Sequence, residues 1–154
     1  MSGGAEPVFA VREIQPGTPE YELAADVRYD ALYREWGLPR TIIEDADGRT
    51  YRHVAAFDGE RLVGYARLWV EQGQSRIFQL AVADDRREEG IGGLLVATLL
   101  DWARDAGRTE VELDARIHVV GYYERLGFVA EGDVFIAGRA HTPHRRMKRS
   151  LSAP

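Results

Sequence analysis

Arg87-Glu88-Glu89-Gly90-Ile91-Gly92-Gly93 is the stretch of this sequence whose residue types and spacing most directly imply chemistry. An apolar run, Ile77-Phe78-Gln79-Leu80-Ala81-Val82, precedes it, and a helically periodic one, Leu94 to Trp102, follows. A strand, a short turn and a glycine-opened helix leave the first N–H groups of the helix without intrahelical acceptors. Those groups and the helix dipole together hold an anion, above all a pyrophosphate. Glycine suits the turn because a side chain would keep the ligand away from the backbone. No Gly-Lys-Ser/Thr follows, so the stretch is not a P-loop. The third glycine of a dinucleotide fingerprint is also missing, and no βαβ unit with an acidic residue about 20 positions on is evident. The other reading of the glycine pair, taken alone, is a tight helix entry.

The elements around this turn are legible from pattern. Val8 to Ile14 reads as a first strand, and Thr18-Pro19 as a helix entry, an N-cap followed by proline. Leu23, Val27, Ala31 and Leu32 recur at helical spacing until Gly37-Leu38-Pro39 stops the helix. Arg52–Phe57 and Arg61–Glu71 form a hairpin about Asp58-Gly59, and Gln72-Gly73-Gln74 turns the chain into the strand Arg76–Val82. The glycine-opened helix runs to Ala106 with Gly107 as its cap. A strand, Thr109–Leu113, and a short helix, Val119–Leu126, come next. Phe128-Val129, Val134–Ala137 and His144–Leu151 supply the last strands. The order β-α-β-β-β-α-β-α-β-β makes an α/β or α+β mixed sheet with helices on its faces. Residues 1–7 are expected to be a flexible start and 8–154 a single domain.

Composition narrows the function. The formal charge of −5 argues against a general nucleic-acid binder. The basic run Arg145-Arg146-Met147-Lys148-Arg149 is the exception, to be read as a solvated strand face or as a binding patch. No cysteine is present, which excludes thiolate chemistry. No apolar run approaches the ~20 residues of a membrane span, and the first residues lack a signal-peptide pattern. A cytoplasmic location without membrane or metal is expected.

At this point the residues carry a resemblance. Arg87-Glu88-Glu89-Gly90-Ile91-Gly92, after a strand ending in Ala81-Val82, resembles the Arg/Gln-x-x-Gly-x-Gly/Ala signature of the Gcn5-related N-acetyltransferases (GNAT). Downstream, Tyr122-Tyr123-Glu124-Arg125-Leu126-Gly127-Phe128 resembles the aromatic-Tyr-Glu-x-x-Gly-Phe segment of that superfamily at the expected separation. The ElaA-like branch is suggested by Tyr51-Arg52-His53-Val54, Leu62–Leu68, Ala115-Arg116-Ile117-His118 and Pro143–Met147.

The resemblance implies a central, mostly antiparallel, splayed sheet and an acetyl-CoA-dependent N-acetyltransferase. The backbone of Leu80, Ala81 and Val82 would pair with the pantetheine arm. Arg87, Glu88, Glu89, Gly90, Ile91, Gly92 and Gly93 would cradle the pyrophosphate. Tyr123 would serve as general acid for the departing thiolate. The chemistry agrees: amine attack on a thioester makes an oxyanion that a free strand N–H stabilises, and a tyrosine of pKa ~10 can donate to the leaving sulfur. The other reading of Tyr123 is a packed aromatic with its hydroxyl bonded to backbone.

Glu88 and Glu89 depart from the family pattern. Each should repel a pyrophosphate by about 1 kcal/mol in water, while favouring the helix N-terminus by ~0.3–1 kcal/mol. CoA binding is expected to survive if both point outward. The asparagine often found before the aromatic pair is also absent. The general base is open among His118, Glu71, His53, His141 and His144, with His118 favoured because it lies about a helical turn from Tyr123. Gln79 could position a water but cannot be a base. Arg28, Tyr33, Trp36, Arg40 and Trp69 are candidates to line the acceptor pocket, and the acidic net charge favours a cationic amine. The partner is a small-molecule or peptide amine, and a homodimer is open. A longer acyl-CoA, an O-acceptor, or a CoA-binding regulatory module without turnover are the competing readings.

Overall fold

The computed structural model describes residues 8–45 and 47–151, so the flexible start expected for residues 1–7 lies outside the described residues. Its elements are β1 (Ala10–Ile14), α1 (Pro19–Leu32), β2 (Arg52–Asp58), β3 (Arg61–Glu71), β4 (Gln74–Val82), α2 (Ile91–Asp105), β5 (Glu110–Arg116), α3 (Val120–Arg125), β6 (Val129–Ala137) and β7 (Thr142–Ser150). Seven strands form one sheet in the order β1-β2-β3-β4-β5-β7-β6. Every neighbouring pair is antiparallel except β4 and β5.

Strand alternation sends successive side chains to opposite faces, and β2 shows it. Val54 and Ala56 join the core under α2, whereas Ala55 and Phe57 join the one under α1. α2 earns its place through Leu95, Val96, Leu99, Leu100 and Ala103, all buried at helical spacing. α1 begins as its sequence dictates: the Thr18 side chain accepts from the Tyr21 amide, Pro19 opens the first turn, and Glu20 and Glu22 complement the dipole. It ends earlier than expected, at Leu32. A 3-10 turn, Arg34–Trp36, carries the chain on to Gly37, which has φ 69°.

Two other segments differ from the sequence reading. Val129 and Val134–Ala137 are not parts of separate strands but of one, β6, with Phe128 just before it. Its register against β7 jumps between Glu131 and Phe135, with Gly132 at φ 76°. The unit β4-α2-β5 is a parallel βαβ crossover, which the pattern did not reveal because strand adjacency is a non-local fact. The basic run of β7 is matched by acidic neighbours: Arg146 pairs with Asp114 and Glu112, and Lys148 with Glu110, Glu112 and Glu131. Such pairs at a solvated face contribute little stability each, and they leave the run as a strand face. No described helix is long and apolar enough to cross a membrane.

Candidate active site

β4 and β5 meet at one register pair, Arg76 with Glu112. Past it the two strands diverge, and a cleft of about 1290 Å³ opens between Ile77–Val82 on one side and Leu113–Arg116 on the other. A bulge in β4 shapes the wall. Arg67 pairs with Phe78 and Tyr65 with Ala81, so Ala66 faces both Gln79 and Leu80. Gln79 takes φ 56°, unusual for a residue with a side chain. Both ends of its amide are held: Oε1 accepts from Arg28 Nε at 2.8 Å, and Nε2 donates to the Tyr33 hydroxyl at 3.4 Å. Tertiary bonds of this kind are what maintain a strained backbone.

The glycine turn forms one end of the cleft. Gly90 caps α2 with φ 82°, a conformation that favours glycine, and nothing crowds its missing side chain. Gly92 is needed for a different reason from the one the turn suggested. A Cβ there would overlap the hydroxyl of Tyr122, which lies on the first turn of α2. Gly92→Ala should therefore destabilise the fold by about 1–3 kcal/mol, and Tyr122→Phe in the same chain should recover part of it. Urea unfolding of the single and double variants measures this, and additive losses would refute the contact. Gly93 has only an ordinary contact, with Leu126.

The two glutamates separate. Glu89 accepts from Arg86, which also donates to Asp58, and it is not part of the cleft wall. Glu88, at φ 70°, stays on the rim. Arg87 lines the cleft while paired with Asp84 at the exposed surface. Arg86 and Arg125 line it too, and sequence reasoning missed both. Arg125 was detectable, since it stands three positions from Tyr122 and so on the same helix face.

Tyr123 reaches the cleft from α3. Its ring packs edge-on against Tyr122 and Phe128, with centroids 5.3 and 5.8 Å away. Burial pushes its pKa well above the ordinary phenol value. Among the described residues its hydroxyl has no hydrogen-bond partner, unlike a structural tyrosine tied to backbone. His118 is exposed on the 3-10 turn Ile117–Val119 before α3 and lines the same cleft.

Opposite the glycine turn, the cleft widens under the end of α1, the loop to β2 and the β6–β7 turn. Tyr33 lines it as expected. Arg28, Trp36, Arg40 and Trp69 do not. Arg28 is 1% exposed and sits behind the wall, holding Gln79 and Asp45. Trp36 lies outside, 45% exposed, with its ring 5.8 Å from the Arg116 guanidinium. Arg40 pairs with Asp26. Trp69 donates to Glu71 near the hairpin end and stacks with Arg49. Lining residues missed at this end include Asp47, Arg49, Tyr51, Arg67, Arg116 and Arg139. Asp47, Arg49 and Tyr51 share one loop, but Arg67, Arg116 and Arg139 come from three other segments, and no local pattern joins the four.

His141 and His144 line the β6–β7 side. His53 and Glu71 do not. His53 is buried beside the Tyr65 hydroxyl, 2.6 Å from Nδ1, and desolvation, reinforced by Arg67, lowers its pKa from 6.5 to about 4. Because the unfolded chain binds this proton more readily, folding stability should fall as pH drops from about 6.5 to about 4. Thermal melting across that range should show a shallower decline in His53→Gln, and an unchanged decline would exclude His53 as its source.

Known proteins share this architecture. YjcF of Bacillus subtilis (strain 168), named an uncharacterized N-acetyltransferase, is 26% identical over 125 residues, spanning 80% of this chain and 87% of its own. Escherichia coli ElaA has the same fold, with TM-score 0.76 and 21% identity over 92% of this chain and 99% of its own. An aminoglycoside 6'-N-acetyltransferase complexed with coenzyme A gives TM-score 0.77 and 19% identity over 94% of this chain and 98% of its own. With residues 10–128 matching the Acetyltransferase (GNAT) family, the chain belongs to that family of acetyltransferases.

Proposed function

We propose that the chain transfers an acetyl group from acetyl-CoA to a primary amine by direct attack, with Tyr123 as general acid. One observation carries this reading: a single cleft contains the unpaired side of β4, the Gly90–Gly92 turn and the unpartnered Tyr123 hydroxyl. The residues fit the cosubstrate. Past Arg76, β4 has no strand on its β5 side, so the backbone of Leu80, Ala81 and Val82 is available to an extended amide chain such as pantetheine. The N–H groups following Gly90 suit a pyrophosphate, and Arg125 adds positive charge beside them, whereas Arg86 and Arg87 are already paired with acids. A fold neighbour complexed with coenzyme A supports this choice.

In the reaction the amine nitrogen bonds to the thioester carbon, the C–S bond breaks, and the sulfur takes the proton of the Tyr123 hydroxyl. The proton lost by the amine leaves through His118 or water and restores Tyr123. A backbone N–H at the bulge stabilises the oxyanion. Glu89, held by Arg86, does not oppose the phosphates, so only Glu88 acts against them. Placement in the ElaA-like branch rests on the segments around His53, His118 and His144.

Isothermal titration with CoA, followed by a thiol-release assay over an amine panel, tests the reading. Uptake and amine-dependent release are expected. No uptake at millimolar CoA would overturn it.

A further inference from the structure

The acceptor end of the cleft has more buried positive charge than the protein neutralises. Asp45 is the hub: Arg28, Arg67 and Arg139 all donate to it, and so does the Tyr21 hydroxyl. Arg28 and Arg67 are each 1% exposed. One carboxylate thus serves three guanidiniums, two of them removed from water, an arrangement that is costly unless further negative charge arrives.

Arg67 is the member of this group that both is buried and lines the cleft. Its Nη1 donates to Asp45 at 2.8 Å, while its buried Nε has no partner among the described residues. Across the cleft, at the end of β5, stands Arg116. It is partly buried, donates to the Leu32 carbonyl at 2.7 Å, and forms no ion pair with any described acid. Tyr33 and Trp36 flank it, their ring centroids 5.9 and 5.8 Å from its guanidinium carbon.

None of the other described acids at this end forms an ion pair with Arg67 or Arg116. Asp30 is paired with Arg34 at the exposed surface. Asp47 accepts from the Tyr51 hydroxyl and the Arg49 amide, and its charge acts on Arg67 without forming an ion pair with it. Glu35 is exposed and acts on Arg116 through its charge alone, without an ion pair. Nor does Arg67 serve the coenzyme phosphates. Arg67 sits at the level of Phe78, whereas the start of α2 packs at the level of Val82, where Ile91 meets Gly64. Four residues of strand separate the two levels by about 13 Å.

We propose that the acceptor is a small amine that also bears a carboxylate, as a free amino acid does, held by Arg116 from one side of the cleft and Arg67 from the other. This rests on the acetyltransferase reading above and reverses the expectation of a cationic acceptor. The net charge of −5 describes the whole chain, not this cleft. A carboxylate matches the planar guanidinium fork and supplies the missing counter-charge. Its amine would then extend toward Tyr123.

The test compares each L-amino acid with its own carboxamide in thiol release at saturating acetyl-CoA. For at least one pair the carboxylate should give a kcat/KM about 10- to 100-fold higher, the value of a charge-assisted hydrogen-bonded pair. Arg116→Gln should bring that ratio close to one, mainly through KM, and Arg116→Lys should leave an intermediate ratio. Carboxamides that equal or exceed their acids throughout, or a preference that survives Arg116→Gln, would overturn the proposal. The same pairs are run as melting shifts, with and without CoA, so that the result does not depend on turnover. Stabilisation by the acids that Arg116→Gln removes supports the proposal, and its absence refutes it. The transferase reading fails separately, by loss of CoA uptake.

Discussion

Tyr123→Phe should lower kcat by about 10²- to 10⁴-fold, the range for loss of a positioned proton donor. CoA affinity should hold, because the ring keeps its packing on Tyr122 and Phe128 and only the hydroxyl is lost. Thiol-release kinetics and CoA titration on one preparation separate the two effects. The raised pKa sharpens the expectation. Burial favours the neutral phenol, so the donor stays protonated beyond its ordinary pKa of ~10. Activity should then show no alkaline loss from this group below about pH 10. A rate unchanged in Tyr123→Phe would make the residue a packing aromatic and remove its acid role.

Asp45→Ala should cost about 3–5 kcal/mol of folding stability, because it leaves buried guanidiniums without their counter-charge. Arg28, Arg67 and Arg139 lose a shared acceptor at once, and Tyr21 loses its hydroxyl partner. The effect extends to the cleft, since Arg28 also holds Gln79 at the β4 bulge. A lower kcat is expected even where the variant remains folded. Urea unfolding measures the stability, and a loss under 1 kcal/mol would mean that the guanidiniums find other partners or water.

The pH dependence supplies a second check. Hydrogen bonds from Tyr21 and Arg67 and the charges of Arg67 and Arg28 outweigh burial and hold the Asp45 carboxyl far below the usual carboxylate range. A group depressed in the folded state stabilises it above its unfolded pKa, and the contribution is lost as pH falls through the folded value. Wild type and Asp45→Ala should therefore differ fully at neutral pH and converge only in strong acid.

Both motifs were legible because each lies on consecutive residues. Gly90 to Gly92 follows from the turn chemistry of glycine at a helix start, and Tyr122 to Phe128 from its resemblance to a contiguous family segment. The hairpin at Asp58-Gly59, the Thr18 cap and the α2 stripe were readable for the same reason. Gln79 was not: within an apolar run it reads as an ordinary strand residue, and its φ of 56° follows from partners on α1. Arg28 was singled out for the pocket but stands behind it, because an arginine in an amphipathic pattern does not reveal which acid it will meet.

The sequence by itself determined the mixed α/β order, the glycine turn that opens α2 and the tyrosine helix, since propensity, capping and periodicity act over a few residues. Tertiary structure alone decided that β4 and β5 part after Arg76, and that Gly92 makes room for Tyr122. It also decided that the acceptor end is cationic in an acidic protein. Residues 28, 45, 67, 116 and 139 come from five separate segments. Charge acts through space at a few ångströms, so the sign of the cleft exists only once those segments are packed together.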